Sequence, residues 1–137
     1  MQFTPYINFN GQCEAAFQLY ERVLGGKITM QVPYSTTPMA DQVPPDWSNK
    51  MCHATLMLGE SAIMGSDATP DRYETPKGIS ITFVPKDATE ANHVFKALAK
   101  DGNVIMELQE TFWAKKFGML VDQFGVSWMI NLEGSKP

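Results

Sequence analysis

Apolar and polar residues alternate along residues 3–9, with Phe3, Pro5, Ile7 and Phe9 set against Thr4, Tyr6 and Asn8, and this period of two predicts a first strand. The period then lengthens. Cys13, Ala16, Phe17, Tyr20, Val23 and Leu24 fall along one stripe of a helix, with Asn10-Gly11 offering an N-cap and Gly25-Gly26 a stop. Lys27–Pro33 alternates again, with Ile28, Met30 and Val32 on one side of a second strand. The stretch Tyr34–Asn49 carries Pro38, Pro44 and Pro45 among Ser, Thr and Asp, so it cannot hold a regular ladder and reads as a long loop. Such a loop is either a lid over a site or a surface excursion. Lys50–Leu58 and Ser61–Gly65, separated by Gly59-Glu60, predict a hairpin, and Ser66–Lys77 a second loop.

The pattern restarts at Gly78. Ile79, Ile81 and Phe83 alternate with Ser80 and Thr82, and Asp87-Ala88-Thr89-Glu90 has the form of a capping box ahead of a helix over about 88–100. Setting the halves 76 positions apart matches Glu14-Ala15 with Glu90-Ala91, Leu19 with Phe95, Gly26 with Gly102, and Ile28, Met30 and Val32 with Val104, Met106 and Leu108. This is an internal repeat, over about 1–68 and 78–137, in which each half is strand, helix, strand and hairpin. The closing hairpin is Gln109–Asn131. Glu110–Val121 supplies one strand around a polar tip at Lys115-Lys116, Asp122–Gly125 is a turn, and Val126–Leu132 is the last strand. On that strand Val126, Trp128, Ile130 and Leu132 share a core-like face, which leaves Ser127, Met129 and Asn131 to line any cavity. The expected class is α+β: two β-α-β-β-β repeats in a curved mixed sheet around a cleft, with the helices on the outer face.

Composition narrows this only at the margins. The 137 residues, 44% hydrophobic and 19% charged, suit one domain, and a net charge of −4 with scattered basic residues gives no footprint for nucleic acid. Cys13 and Cys52 form no metal or redox motif. The start MQFTPY lacks the regions of a signal peptide, and no apolar run reaches the roughly 18 residues of a membrane span, so a cytoplasmic protein that binds no membrane is expected. Nine methionines fit either a soft core or an adaptable binding surface.

The residues Pro5-Tyr6-Ile7-Asn8-Phe9-Asn10-Gly11, the segment FQLYERVLGG over Phe17–Gly26, His53-Ala54, Gly65-Ser66-Asp67, Glu110-Thr111-Phe112-Trp113-Ala114, Phe117-Gly118 and Asp122–Trp128 carry a resemblance. They resemble the vicinal oxygen chelate superfamily of glyoxalase I, bleomycin-resistance proteins and extradiol dioxygenases, and within it the PhnB-like proteins. The resemblance covers nearly the whole chain and implies a single glyoxalase/bleomycin-resistance-like domain over 1–137, usually as a homodimer. It also implies metal-ligand positions near Pro5, Met64, Ile79 and Met129, none of which is a hard donor. The one-residue neighbours Thr4, Tyr6, Ile63, Gly65, Gly78, Ser80, Trp128 and Ile130 add no His, Asp, Glu or Cys. A thioether pair such as Met64 and Met129 suits a soft ion like Cu(I), against ordinary packing, which is the role Met usually plays.

No glycine-rich phosphate loop, GxSxG elbow or zinc spacing is present, and no nucleophile is paired with a base by a local signature. His93 falls on the second helix at the position of Phe17. His53 sits on the strand MCHATLML with Thr55 and Met57, either as a strand-edge or dimer-contact histidine or as a functional one needing a partner to orient it. The expected function is binding of a small organic molecule, with no metal or cofactor, in a cleft lined by Phe9, His53, Met64, Phe112, Trp113, Ser127 and Met129. The alternatives are a metal-dependent lyase, isomerase or dioxygenase of the superfamily and a sequestering resistance-type protein. No catalytic residue is assignable.

Overall fold

A computed structural model describes residues 1–134, so the end of the second expected repeat, 135–137, lies outside the described residues. Its elements are β1 (Tyr6–Phe9), α1 (Cys13–Leu24), β2 (Lys27–Pro33), β3 (Met51–Leu58), β4 (Ser61–Asp67), β5 (Ile81–Phe83), α2 (Ala88–Ala99), β6 (Asn103–Gln109), β7 (Ala114–Val121) and β8 (Ser127–Glu133). The chain divides into two compact units, Met1–Glu74 and a second beginning at Thr75. Each is the β-α-β-β-β unit that the repeat predicts, and the class is α+β. The sheet orders are β1-β4-β3-β2 and β5-β8-β7-β6. In both sheets the first strand pairs in parallel with the last and the remaining pairs are antiparallel. Among the described residues no helix is long and apolar enough to cross a membrane.

In the first unit α1 lays its predicted stripe on the sheet, with Cys13, Ala16, Phe17 and Tyr20 fully buried. Phe9 meets Phe17 edge-on at 5.9 Å between ring centroids, and a Cβ on Gly65 would touch the Phe17 ring. Phe9 and Gly65 therefore face the helix, as do the buried Ile7, Ala54 and Leu56. By alternation Tyr6, Asn8, His53, Thr55, Met64 and Ser66 face the other way. Three details differ from the sequence reading. The first strand begins at Tyr6, and β4 runs on to Asp67. The N-cap position of α1 is Gln12, whose side chain makes no cap bond; the carboxylate of Asp67 accepts from Cys13 N instead, at 2.8 Å. The loop over 34–49 carries three short 3-10 helices, with Tyr34 and Trp47 buried beneath it.

In the second unit Asp87 caps α2 as the sequence indicates, accepting from Glu90 N at 2.8 Å. Ala91, Val94, Phe95 and Leu98 are buried against the sheet, and Gly118 gives Phe95 its room. Trp128 and Ile130 are 1% and 0% exposed, so the apolar face of the last strand is core. Phe117, Met119, Ser127, Met129 and Asn131 lie on the opposite face. Lys115-Lys116 is not a tip: both lysines are in β7, where Lys116 pairs with Leu132. Ile79 lies outside β5 and is 78% exposed, and the residue of the first strand in register with Met129 is Thr82.

The repeat is visible in backbone detail. A Cβ on Gly26 would come within 2.7 Å of Met57 O, and one on Gly102 would overlap Val121 O. The preceding residues, Gly25 and Asp101, are both left-handed, at φ 81° and 61°. Opposite results are thus expected from neighbouring changes. Gly102→Ala costs about 2–3 kcal/mol because rigid backbone must move, whereas Asp101→Gly stabilises by about 0.5–1 kcal/mol by relieving the left-handed conformation. Chemical denaturation of both variants checks the pair.

Candidate functional site

The polar centre of the first unit is Asp67, 1% exposed at the end of β4. Its Oδ1 accepts from Cys13 N at 2.8 Å and its Oδ2 from Met51 N at 2.9 Å, joining the first residues of α1 and β3. Its carbonyl oxygen accepts from the Tyr34 hydroxyl at 2.7 Å. Burial pushes the Tyr34 phenol up, so it stays a neutral donor. The stem of the 34–49 loop is closed by Tyr34 N to Lys50 O and Ser35 N to Ser48 O, each 2.9 Å. Lys50 Nζ ties that stem to Gly11 O at 2.9 Å.

Between this loop and the segment following β4 lies a cavity of about 660 Å³. Asn8 and Ser66 from the helix-free face of the sheet line it, with Met39 and Val43 from the loop and Thr69 and Arg72 beyond β4. The lining mixes amide, hydroxyl and guanidinium groups with apolar surface, as a site for a small polar-headed organic molecule does. Asp71, also on the wall, has its carboxyl held below its ordinary value by the Thr69 hydroxyl, so it is ionised at neutral pH. The sequence marks the 34–49 loop as a lid or a surface excursion but does not specify this cavity, because β1, β4 and two loops without periodicity each supply part of its wall.

Beside it, on the same face, the Tyr6 hydroxyl lies 3.1 Å from His53 Nδ1, and His53 Nε2 lies 3.0 Å from Thr55 Oγ1. Both imidazole nitrogens are engaged, so His53 has the orienting partner that a functional histidine needs. Met64 pairs with Tyr6 on one side and Thr55 on the other.

The residues expected to line a site separate into distinct places. His53 and Met64 share the helix-free face of the first sheet. Phe9 does not: it is 1% exposed in the core under α1, because the alternation that turns Tyr6 and Asn8 to one face turns Phe9 to the other. In the second unit Ser127 and Met129 share the helix-free face, with Val121 opposite Ser127 and Met119 opposite Met129. Trp113 meets Phe117 edge-on at 5.2 Å and Phe112 at 4.7 Å, and Phe112 is 91% exposed. On this face Asn131, which the alternation of the last strand groups with Ser127 and Met129, has its Oδ1 buried with no hydrogen-bond partner among the described residues. His93 is exposed on α2.

Cys13 is no nucleophile. It is 0% exposed, and burial pushes its thiol well above its ordinary value, with the nearby Asp67 and Glu14 carboxylates adding to the shift. It should resist a thiol reagent in the folded protein and react only on unfolding, which a colorimetric thiol titration with and without denaturant checks. The metal centre that the resemblance implies does not fit these residues. The strand registers put Tyr6 beside Met64 in the first unit and Thr82 beside Met129 in the second, and neither pair supplies imidazole or carboxylate. Among the described residues no three His, Cys, Asp or Glu side chains are grouped to hold an ion.

Comparison with known proteins covers almost the whole chain. The family described as 3-demethylubiquinone-9 3-methyltransferase matches residues 1–131. Protein YjdN of Escherichia coli K12 is 33% identical over 147 aligned residues, covering 100% of this chain and 99% of that one. Protein PA1353 from Pseudomonas aeruginosa has a structure similar at TM-score 0.89 and 43% identity, covering 98% and 99% of the two chains. A putative 3-demethylubiquinone-9 3-methyltransferase, PhnB protein, from Bacillus cereus follows at 0.80 and 28%, covering 96% and 99%. A glyoxylase/bleomycin resistance protein/dioxygenase domain from Frankia sp. EAN1pec shares the fold, at TM-score 0.62 and 13% identity over 97% and 95%.

Proposed function

The chain belongs to the PhnB-like family described as 3-demethylubiquinone-9 3-methyltransferase, and from that premise we propose that it binds a small organic molecule in its N-terminal unit. The cavity of about 660 Å³ between the 34–49 loop and the segment after β4 carries this reading. Its volume is that of a site for a small ligand, and its wall supplies both hydrogen-bonding groups and the apolar side chains of Met39 and Val43. The helix-free face of the second sheet, with Trp113, Ser127 and Met129, is a secondary aromatic and methionine surface for the same class of molecule. Phe112 stands at its edge.

Methyl transfer, the activity in the family's description, receives no support from the site residues. Each unit is a mixed four-stranded sheet, not the doubly wound parallel sheet that holds a nucleotide cofactor at its switch point. A metal-dependent lyase, isomerase or dioxygenase is the competing reading, and elemental analysis of protein purified without chelator separates the two. A substoichiometric transition-metal content is expected, and a stoichiometric ion would favour the competitor. A sequestering protein differs from an enzyme only in leaving its ligand unchanged. The exposed Phe3, Ile79 and Phe112 support a homodimer, for which sedimentation should give twice the chain mass of 15.3 kDa.

The binding reading is tested by nuclear magnetic resonance titration with a set of small polar-headed organic molecules. Shift changes should gather at Asn8, Gln42, Ser66 and Thr69. Ala68→Trp, which fills the cavity from its wall, should weaken binding by at least about tenfold while leaving the spectrum folded. Binding unchanged in Ala68→Trp would remove the cavity as the site.

A further inference from the structure

We propose that Tyr6 and His53 form a proton-transferring pair on the helix-free face of the first sheet, serving a small molecule that presents an acidic hydroxyl or a carbonyl oxygen there. Tyr6 is the group that meets the ligand and His53 the group behind it. Tyr6 is 49% exposed, which leaves room for a second partner at its hydroxyl, while its bond to His53 Nδ1, at 3.1 Å, gives the phenol proton somewhere to go. The rings are 5.7 Å apart and tilted by 34°, a side-by-side arrangement across β4 that brings the hydroxyl, not the ring face, to the imidazole. Thr55, 8% exposed, fixes the far side of His53 through the 3.0 Å contact with Nε2.

The direction of transfer follows the tautomer. With the hydrogen on Nε2 donated to Thr55 Oγ1, Nδ1 accepts from the phenol, and Tyr6 can take a proton from a ligand hydroxyl as it passes its own to His53. The ligand then holds the negative charge and His53 the positive one, so charge and protons balance. With the hydrogen on Nδ1, the phenol instead accepts from His53 and donates to a ligand carbonyl oxygen. Asn8 lies two residues beyond Tyr6 on the same face, roughly 7 Å along the strand, and lines the cavity, so a ligand held there can extend to the pair. The inference draws its substrate from the proposed binding function, but the chemistry of the pair can be examined without any ligand.

A test is acylation by p-nitrophenyl acetate, with each tyrosine followed by peptide mass spectrometry. Tyr6 Oη attacks the acetyl carbon, p-nitrophenolate leaves with its bonding electrons, and the phenol proton passes to His53 Nδ1. Tyr6 should be acetylated at least about tenfold faster than the half-buried Tyr73. His53→Ala should bring Tyr6 down to the rate of Tyr73, and added imidazole should restore it, an effect that a purely structural role for His53 would not produce. Thr55→Val should slow Tyr6 by a smaller factor. Should His53→Ala lose the native circular dichroism, His53→Gln carries the comparison. Tyr6 labelled equally fast with and without His53, or acetyl found on His53 alone, would overturn the pair. A failure of the cavity to bind ligands would leave this result untouched, so the two claims fail separately.

Discussion

Asp67→Ala is expected to lower the unfolding free energy by about 3–5 kcal/mol, well beyond the loss of an ordinary helix cap of about 1 kcal/mol. The carboxylate is 1% exposed and satisfies the backbone N–H groups of Cys13 and Met51, at 2.8 and 2.9 Å. Alanine removes the acceptor of both donors at the junction of α1, β3 and β4. Asp67→Asn keeps one acceptor and turns an amide N–H₂ toward the other donor, so it should recover about half of the loss. Tyr34 donates to the carbonyl of this same residue, so the alanine variant should also loosen the loop that walls the cavity. Urea denaturation of both variants, with backbone exchange at Tyr34, reads the two consequences. A change in stability below about 1 kcal/mol for the alanine variant would mean that Asp67 does not hold the junction.

In the second unit the largest expected effect is that of Asp122→Ala, a loss of about 3–4 kcal/mol. Asp122 is 3% exposed at the end of β7. Its Oδ1 accepts from Phe124 N at 2.8 Å and Val126 N at 3.0 Å, and its Oδ2 from the Trp128 indole at 2.9 Å. One side chain thus shapes the β7–β8 turn and fixes the largest core residue of the unit. In Trp128→Phe the indole N–H is already gone, so adding Asp122→Ala should cost about 1 kcal/mol less than it does in the wild-type chain. Fluorescence-monitored unfolding of the two single variants and the double variant measures that coupling. Additive losses would show the indole bond to be incidental.

Elements whose signals are local were legible in the sequence. The stripe of α1, the Asp87 cap of α2 and the alternation of β8 are short-range patterns, and the 76-residue offset holds because equal elements repeat at equal spacing. The left-handed Gly25 and Asp101 and the crowded Gly26 and Gly102 express the same offset in backbone geometry. What failed depended on partners far along the chain. The cap of α1 comes from Asp67, 54 residues downstream, so Asn10-Gly11 stood in for it. Alternation over 6–9 defines two faces but does not say which one meets a helix, and this put Phe9 on the wrong side. Lys115-Lys116 resembles a tip because two adjacent lysines interrupt an apolar run, yet Lys115 is exposed near the start of an internal strand, at the register irregularity between Ala114 and Lys116.

The candidate site was legible only in fragments. His53 stands out by residue type and alternation puts Thr55 on its face, but Tyr6 meets it only through the pairing of β1, β4 and β3. The sequence offers the 34–49 loop as a possible lid but no position for the cavity, since the wall is assembled from residue 8, the loop over 34–44 and the segment 66–72. Composition favoured an aromatic and methionine lining. The structure gives the first unit a wall richer in hydroxyl, amide and charged groups, and keeps the aromatic cluster of Phe112, Trp113 and Phe117 in the second.

The most direct measurement is a crystal structure of the full chain grown from protein that retains whatever small molecule accompanies it, or soaked with one of the binders found by titration. Ordered ligand density is expected against Asn8 and Ser66, beneath Met39 and Val43 and within reach of Arg72. Density confined to the Phe112, Trp113 and Phe117 surface, with the N-terminal cavity holding only water, would contradict binding in the N-terminal unit.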